Sequence, residues 1–318
     1  MTVPQARPLS EPPPAGAVGE EHVFLVGRPP MDEYLAFMST EPVDSQGVDL
    51  GSIANEWRSS NDRVRELQLS EATWADNPPV KQVPKELDEL AMAVLTDPFF
   101  KKSFSIVPAD IGMVELDRLV VFQKIINLEY VRQLKARLGN SPSQEDVFRT
   151  CLPVDHPTLP PMIRRIAYNG FVFMSESNDL RFHEPVLLRP DQIPGYQATG
   201  PVAGIVGLVV GYGSNYLNVI SAEGRLILSN GSHRAYALRD LGVTHVPCVI
   251  QRVSRRDELK VIGTQPLQQA TDLYLKEPRP PVLKDYFDQK MRKIISLPPK
   301  ARQVRISFGV EQNDMPWA

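Results

Sequence analysis

Apolar positions along this chain come first at strand spacing and then at helix spacing. Residues 22–27 (HVFLVG) are a short, strand-like apolar run. Pro29-Pro30 then opens a helix expected to run through Phe37, because a first helical turn has no use for the N–H that proline lacks. Helical patterning continues over 53–67 and 85–95. Its longest stretch is 114–138, where Leu116, Leu119, Val120, Phe122, Ile126, Leu128, Val131 and Leu134 crowd one broad side. Lys135 and Arg137 in the last turn, with Gly139 after it, suit the negative end of a helix dipole and a left-handed cap. Together these elements predict a mainly helical domain over 21–140.

The pattern then changes. Residues 141–161 gather Pro142, Pro153, Pro157, Pro160 and Pro161 among Ser, Thr and His, and read as a hinge with a short helix inside it. Residues 163–174 and 181–188 look like β segments joined by a polar turn at 175–179. The run 201–210 (PVAGIVGLVV) fits either a buried helix or a strand. Beyond it the reading sharpens: a strand at 217–220, a turn at 221–224, a returning strand at 225–228, and a loop at 229–231. A helix follows at 232–241, closed by Gly242, and a last strand at 246–251. The expected fold is α+β, with a mixed-sheet domain over 162–253, a basic extension over 254–318 and a disordered tail over 1–20.

At 318 residues the chain is long enough for two cores, since one rarely grows past about 250 to 300 residues. No apolar run approaches the roughly 20 residues needed to span a bilayer, and the first stretch lacks the apolar core of a signal peptide. The expected location is the cytoplasm, with no membrane partner. Cys151 and Cys248 form no CxxC pair, so buried, inert thiols are expected, and the five histidines show no pair at metal-ligand spacing.

Residues 1–182 hold 18 Lys+Arg against 26 Asp+Glu, a balance of −8, while 183–318 hold 17 against 12, or +5. Within the second half, 252–305 carries 13 cations against 6 anions, including Arg252, Arg255, Arg256, Lys290, Arg292 and Lys293. A solvated basic face is one reading of that segment and a nucleic-acid surface the other, although stacking aromatics are sparse there. The segment KEPRPPVLKDYFD reads as a rigid strap that Tyr286 and Phe287 dock.

Candidate chemistry concentrates at Asn230-Gly231-Ser232-His233-Arg234. A helix amino terminus leaves about four N–H groups without partners and carries roughly half a positive charge, so a strand ending in a glycine turn before a helix suits an anion. Gly231 would let the backbone approach closely and Ser232 would cap the helix. His233 and Arg234 would add donors, the guanidinium gripping two phosphate oxygens at once. On this reading Arg234→Ala abolishes phosphate binding and leaves the melting temperature nearly unchanged. The glycines in GLVVGYGSNY lack the Gly-Lys-Ser/Thr ending of a P-loop and read instead as close packing and a tight turn.

The stretch LILSNGSHRAYALRDLGVTHVPCVI resembles the ParB/sulfiredoxin superfamily, in which a strand leads into a Gly-x-His-Arg or Gly-Glu-Arg-Arg loop, a helix ending Leu-Gly and a strand beginning Val-Pro. The similarity covers about 183–253, with residues 186–193 looking like the family's first strand and its exit. It implies a nucleotide (ATP, ADP or CTP) held at residues 230–234, with Mg²⁺, and chemistry of phosphoryl-transfer type on a small molecule or side chain. Ser232 stands where sulfiredoxins carry a reactive cysteine, which argues against their chemistry. No helix-turn-helix pattern follows the loop, as it does in DNA-partition proteins. Ser232 and His233 are the candidate catalytic groups in the loop, and Glu223, Asp191 and Glu184 the nearby carboxylates that would serve as a base. Two rival readings stay open: a nucleic-acid-associated module (DNA binding or nuclease) regulated by nucleotide, and a non-catalytic scaffold.

Overall fold

A computed structural model describes residues 19–315 apart from 46, 157–159 and 178. The expected tail lies outside the described residues as far as position 18, and so does Pro157 of the hinge. The first apolar run becomes strand β1 (Glu20–Leu25), and Pro30 stands just before helix α1 (Met31–Thr40). Helix α2 (Leu50–Ser70) starts at Asp49, whose carboxylate accepts from the Gly51 amide at 3.0 Å. Helices α3 (Asp88–Thr96) and α4 (Pro98–Ser103) follow, then strands β2 (Ala109–Glu115) and β3 (Ile125–Asn127). Helix α5 (Leu128–Leu138) is capped by Asn127, and α6 (Gln144–Cys151) by a reciprocal Ser143–Asp146 capping box.

Strands β4 (Met162–Ala167), β5 (Gly170–Ser175), β6 (Leu180–Leu188) and β7 (Ile205–Tyr212) come next. The unit β8 (Asn218–Ala222), β9 (Arg225–Asn230), α7 (Ser232–Asp240), β10 (His245–Arg252) lies where the sequence places it, within a residue or two. Three short helices, α8 (Leu259–Ile262), α9 (Gln265–Gln269) and α10 (Thr271–Leu275), precede strands β11 (Arg292–Leu297) and β12 (Arg302–Ser307). Helices and sheets thus share the chain, as an α+β fold requires.

The expected helix over 114–138 is helical only in its second half. Its first half is β2, a short 3-10 turn and extended chain, in which the Val120 N–H donates to Leu226 O at 2.9 Å and Val120 O accepts from the Leu228 N–H at 2.8 Å. Leu116, Leu119, Val120 and Val121 are buried on every side. A run so thoroughly buried satisfies helical spacing by accident, and β-branched Val120-Val121 favour the extended form. Residues 163–174 likewise form two strands, β4 and β5, which turn on each other between Ala167 and Gly170.

Two compact units result. One joins Met1–Val154 to Asn215–Pro299, and the other joins Asp155–Ser214 to Lys300–Ala318. This differs from the expected division at 140, 161 and 253, because the strands pair across long stretches of sequence. In the first unit β1 lies between β11 and β3, with Glu20 opposite Leu297, and the second sheet runs β2-β10-β8-β9. There β10 is antiparallel to β2 and parallel to β8, the crossover being made by β9 and α7. The helical segments over 21–140 are therefore not a separate domain but pack on sheets completed by 215–299. The second unit contains the sheet β12-β5-β4 and the ribbon β6-β7.

The strap over 276–288 is buried into the first unit from Arg279 onward, held by charge as well as by rings. Arg279 has no exposed surface; its guanidinium donates to both Asp285 carboxylate oxygens at 2.6 and 2.9 Å and to Glu71 at 3.0 Å. Arg28 reaches Asp285 Oδ2 at 3.3 Å, and Lys284 reaches Glu71 at 2.8 Å. Tyr286 is fully buried, its hydroxyl donating to Gln123 O, and Phe287 stacks on Tyr236 at 4.6 Å.

Candidate functional site

Strand β9 ends at Asn230, Gly231 follows with φ 98°, and α7 begins at Ser232. A Cβ on Gly231 would stand 2.9 Å from Leu217 Cγ and 3.2 Å from Arg234 Nη2, so both the left-handed backbone and the close packing call for glycine. Gly231 is itself the cap residue, its carbonyl accepting from the Ala235 amide at 2.8 Å. This corrects the role given to Ser232, which is the first helical residue and no cap. Helix α7 has no side-chain cap, whereas α2, α5 and α6 receive theirs from Asp49, Asn127 and Ser143. Residues 229–233 are partly exposed, between the buried body of β9 and the buried 234–238. The Asn230 amide ties the turn down by donating to Tyr216 O at 3.1 Å.

Arg234 does not grip a ligand with its fork. It is 5% exposed, and Nη1 donates to Asn215 O at 2.6 Å, Thr150 O at 3.1 Å and Cys151 O at 3.2 Å. These include the last carbonyls of α6, where a helix concentrates partial negative charge. The guanidinium thus pins the carboxyl end of α6 and the start of the segment leading to β8, and its part in phosphate gripping is corrected to a positioning one.

His233 points its ring at Tyr130 of α5, edge to face, with centroids 5.5 Å apart. Burial, then His22, then the Arg234 guanidinium push its pKa down to about 4, so at neutral pH it offers one N–H and no charge. Glu223 sits at the β8–β9 turn with φ 47°, at the other end of β9, a strand of six residues or about 20 Å. Its carboxylate pairs with Arg256, chiefly through hydrogen bonds that hold it below the usual carboxylate range. Glu223 therefore cannot be the base for a ligand at Ser232, which corrects its candidacy. Asp191 belongs to the second unit, where it pairs with Arg189 at 3.3 Å, and Glu184 lies there too, in β6. The segment 186–193, expected as the family's first strand, runs through β6 and the turn after it; the strands beside β10 are β2 and β8.

The cations of 252–305 are largely spoken for. Arg252 pairs with Asp110 at 2.7 Å, Arg255 with Asp257, Arg256 with Glu223 and Asp272, Lys276 with Asp272, and Lys293 with Glu56. Sequence reasoning registered the charges and missed these partners, which lie up to 237 residues away. A hollow lined by Leu116, Asp117, Arg239 and Val243 adjoins the carboxyl end of α7, roughly 13 Å along the helix from Ser232. Among the described residues no group of three or more His, Cys, Asp or Glu is placed to hold a metal ion, and no helix is long and apolar enough to cross a membrane. The arrangement can hold an anion by main-chain amides and the Ser232 hydroxyl. Comparisons of this chain with protein-family models, with curated proteins and with solved structures return no match.

Proposed function

We propose that this chain binds the phosphate of a nucleotide such as ATP, ADP or CTP at residues 230–233, through a domain of ParB/sulfiredoxin type, and works in the cytoplasm. The observation that carries the reading is the opening of α7: a glycine at φ 98° delivers the chain from a buried strand into a nine-residue helix with no side-chain cap. Its first amides and the Ser232 hydroxyl then meet phosphate oxygens, favoured by the helix dipole. Arg234 fixes the helix from beneath and His233 contributes a neutral donor. Mg²⁺ would accompany the nucleotide and supply charge neutralisation at its phosphates. Phosphoryl transfer to a small molecule or side chain is the reaction that the family resemblance implies, and it rests on that resemblance alone.

Calorimetric titration with ATP, ADP and CTP, with and without Mg²⁺, tests the reading. Saturable binding of at least one nucleotide is expected, and Ser232→Glu should abolish it: a carboxylate in the first turn repels phosphate while suiting the helix dipole, so the fold is kept. No binding by the wild type, or full binding by the Ser232→Glu variant, refutes it.

A further inference from the structure

Strands β6 and β7 form a two-stranded antiparallel ribbon. Such a ribbon is marginal in water, since each strand has one ladder and little apolar surface is covered. Leu187 pairs with Val206, Pro185 with Leu208 and Phe182 with Val210, so one face is apolar along its length. On it Leu187 is 80% exposed, Val206 70% and Phe182 44%. On the opposite face the two glycines of β7 lie beside side chains of β6: a Cβ on Gly207 would stand 2.9 Å from Val186 Cγ2, and one on Gly211 3.1 Å from His183 Nε2.

The strand edges of this unit are not alike. Strand β4 carries Arg164 and Arg165, β12 carries Arg302 and Arg305, and β6 carries Pro185 together with Arg181, His183 and Glu184. Charge and proline discourage a foreign strand from pairing. Strand β7, IVGLVVGY, has neither, and among the described residues β6 is its one ladder partner.

We propose that β7 is the seam of a homodimer, in which two copies pair β7 to β7 antiparallel about a two-fold axis through Leu208, normal to the ribbon. The two ribbons become one four-stranded sheet. In this register Val206 faces Val210 of the partner subunit, Leu208 faces Leu208 of the partner subunit, and Gly207 faces Val209 of the partner subunit. Uncharged positions meet only uncharged ones, and the apolar faces of the two ribbons become continuous. The charged, proline-bearing β6 strands fall on the outer edges, so growth stops at two copies. A second copy is the occupant because β7 carries neither charge nor proline to repel another β7, its two-fold register sets apolar side chains on apolar ones, and every copy presents it.

Light scattering on the full chain tests this. The expected mass is twice that of the 35.6 kDa chain. Leu208→Lys, which sets two like charges face to face at the axis, should give the monomer with an unchanged far-ultraviolet circular dichroism spectrum. As a second probe, Leu208→Cys should form an intermolecular disulfide under mild oxidant while Arg164→Cys, on a charged edge, does not; the native Cys151 and Cys248 are buried and do not compete. A wild type that stays monomeric at tens of micromolar, a Leu208→Lys variant that remains dimeric, or a Leu208→Cys variant that fails to cross-link overturns the proposal.

Discussion

Arg234 owes its place to three carbonyl oxygens, of Thr150, Cys151 and Asn215, the second of which also accepts from the Leu217 N–H. Removing the guanidinium takes a shared donor from them at a cost of about 1–3 kcal/mol. Urea denaturation of Arg234→Ala should show that loss, and a variant as stable as the wild type would mean the side chain is not the clamp described. His233 gives a pH signature. Its folded pKa of about 4 lies below the ordinary value of 6.5, so the unfolded chain binds the extra proton first. Stability from this group is complete above pH 6.5 and is lost as pH falls from there to about 4, by at most about 3 kcal/mol. His233→Gln should flatten that slope in pH-dependent melting; an unchanged slope would place its origin elsewhere. Gly231 was legible in the sequence because a strand, a glycine and a helix in succession dictate a local geometry. The partners of Arg234 were not, since Thr150 lies 84 residues upstream and carbonyls leave no sequence signal.

Elements were legible where one face is polar. Helix α5 shows its periodicity because solvent bounds one face, and the largely buried unit β8–β9–α7–β10 is delimited by Gly224, Gly231 and Gly242, whereas residues 116–121 are buried all round with neither signal. The strap is a third case: Tyr286 and Phe287 were expected to dock it, yet the Arg279–Asp285 pair that anchors it was not foreseen, because nothing near Arg279 in sequence distinguishes it from a solvated cation. Burial makes that pair sensitive. Asp285→Ala leaves the Arg279 guanidinium buried opposite Glu71 alone and should cost about 3–5 kcal/mol. Chemical denaturation measures this directly, and a loss under about 1 kcal/mol would contradict the anchoring role.

At the scale of the molecule, the chain leaves the first unit after α6 and returns at β8 within one hydrogen bond's reach, the Leu217 N–H donating to Cys151 O at 2.7 Å. Replacing 155–214 by a short Gly-Ser linker should therefore leave a first unit that still unfolds cooperatively; a non-cooperative product would show that the insertion is needed for folding. Domain boundaries were the least legible feature, since composition marks the proline-rich hinge at 141–161 but nothing local reports that β1 pairs with β11 or β2 with β10.

The central claim is that the amides opening α7 receive a phosphate. Amide proton–nitrogen spectra recorded during titration with the Mg²⁺ complexes of ATP and CTP address it most directly. The account predicts saturable shifts at Gly231, Ser232 and His233, larger than those at the carboxyl end of α7 near Arg239 and Gly242. Signals at 231–233 that stay still while others move, or a spectrum that does not respond to nucleotide at all, would contradict it.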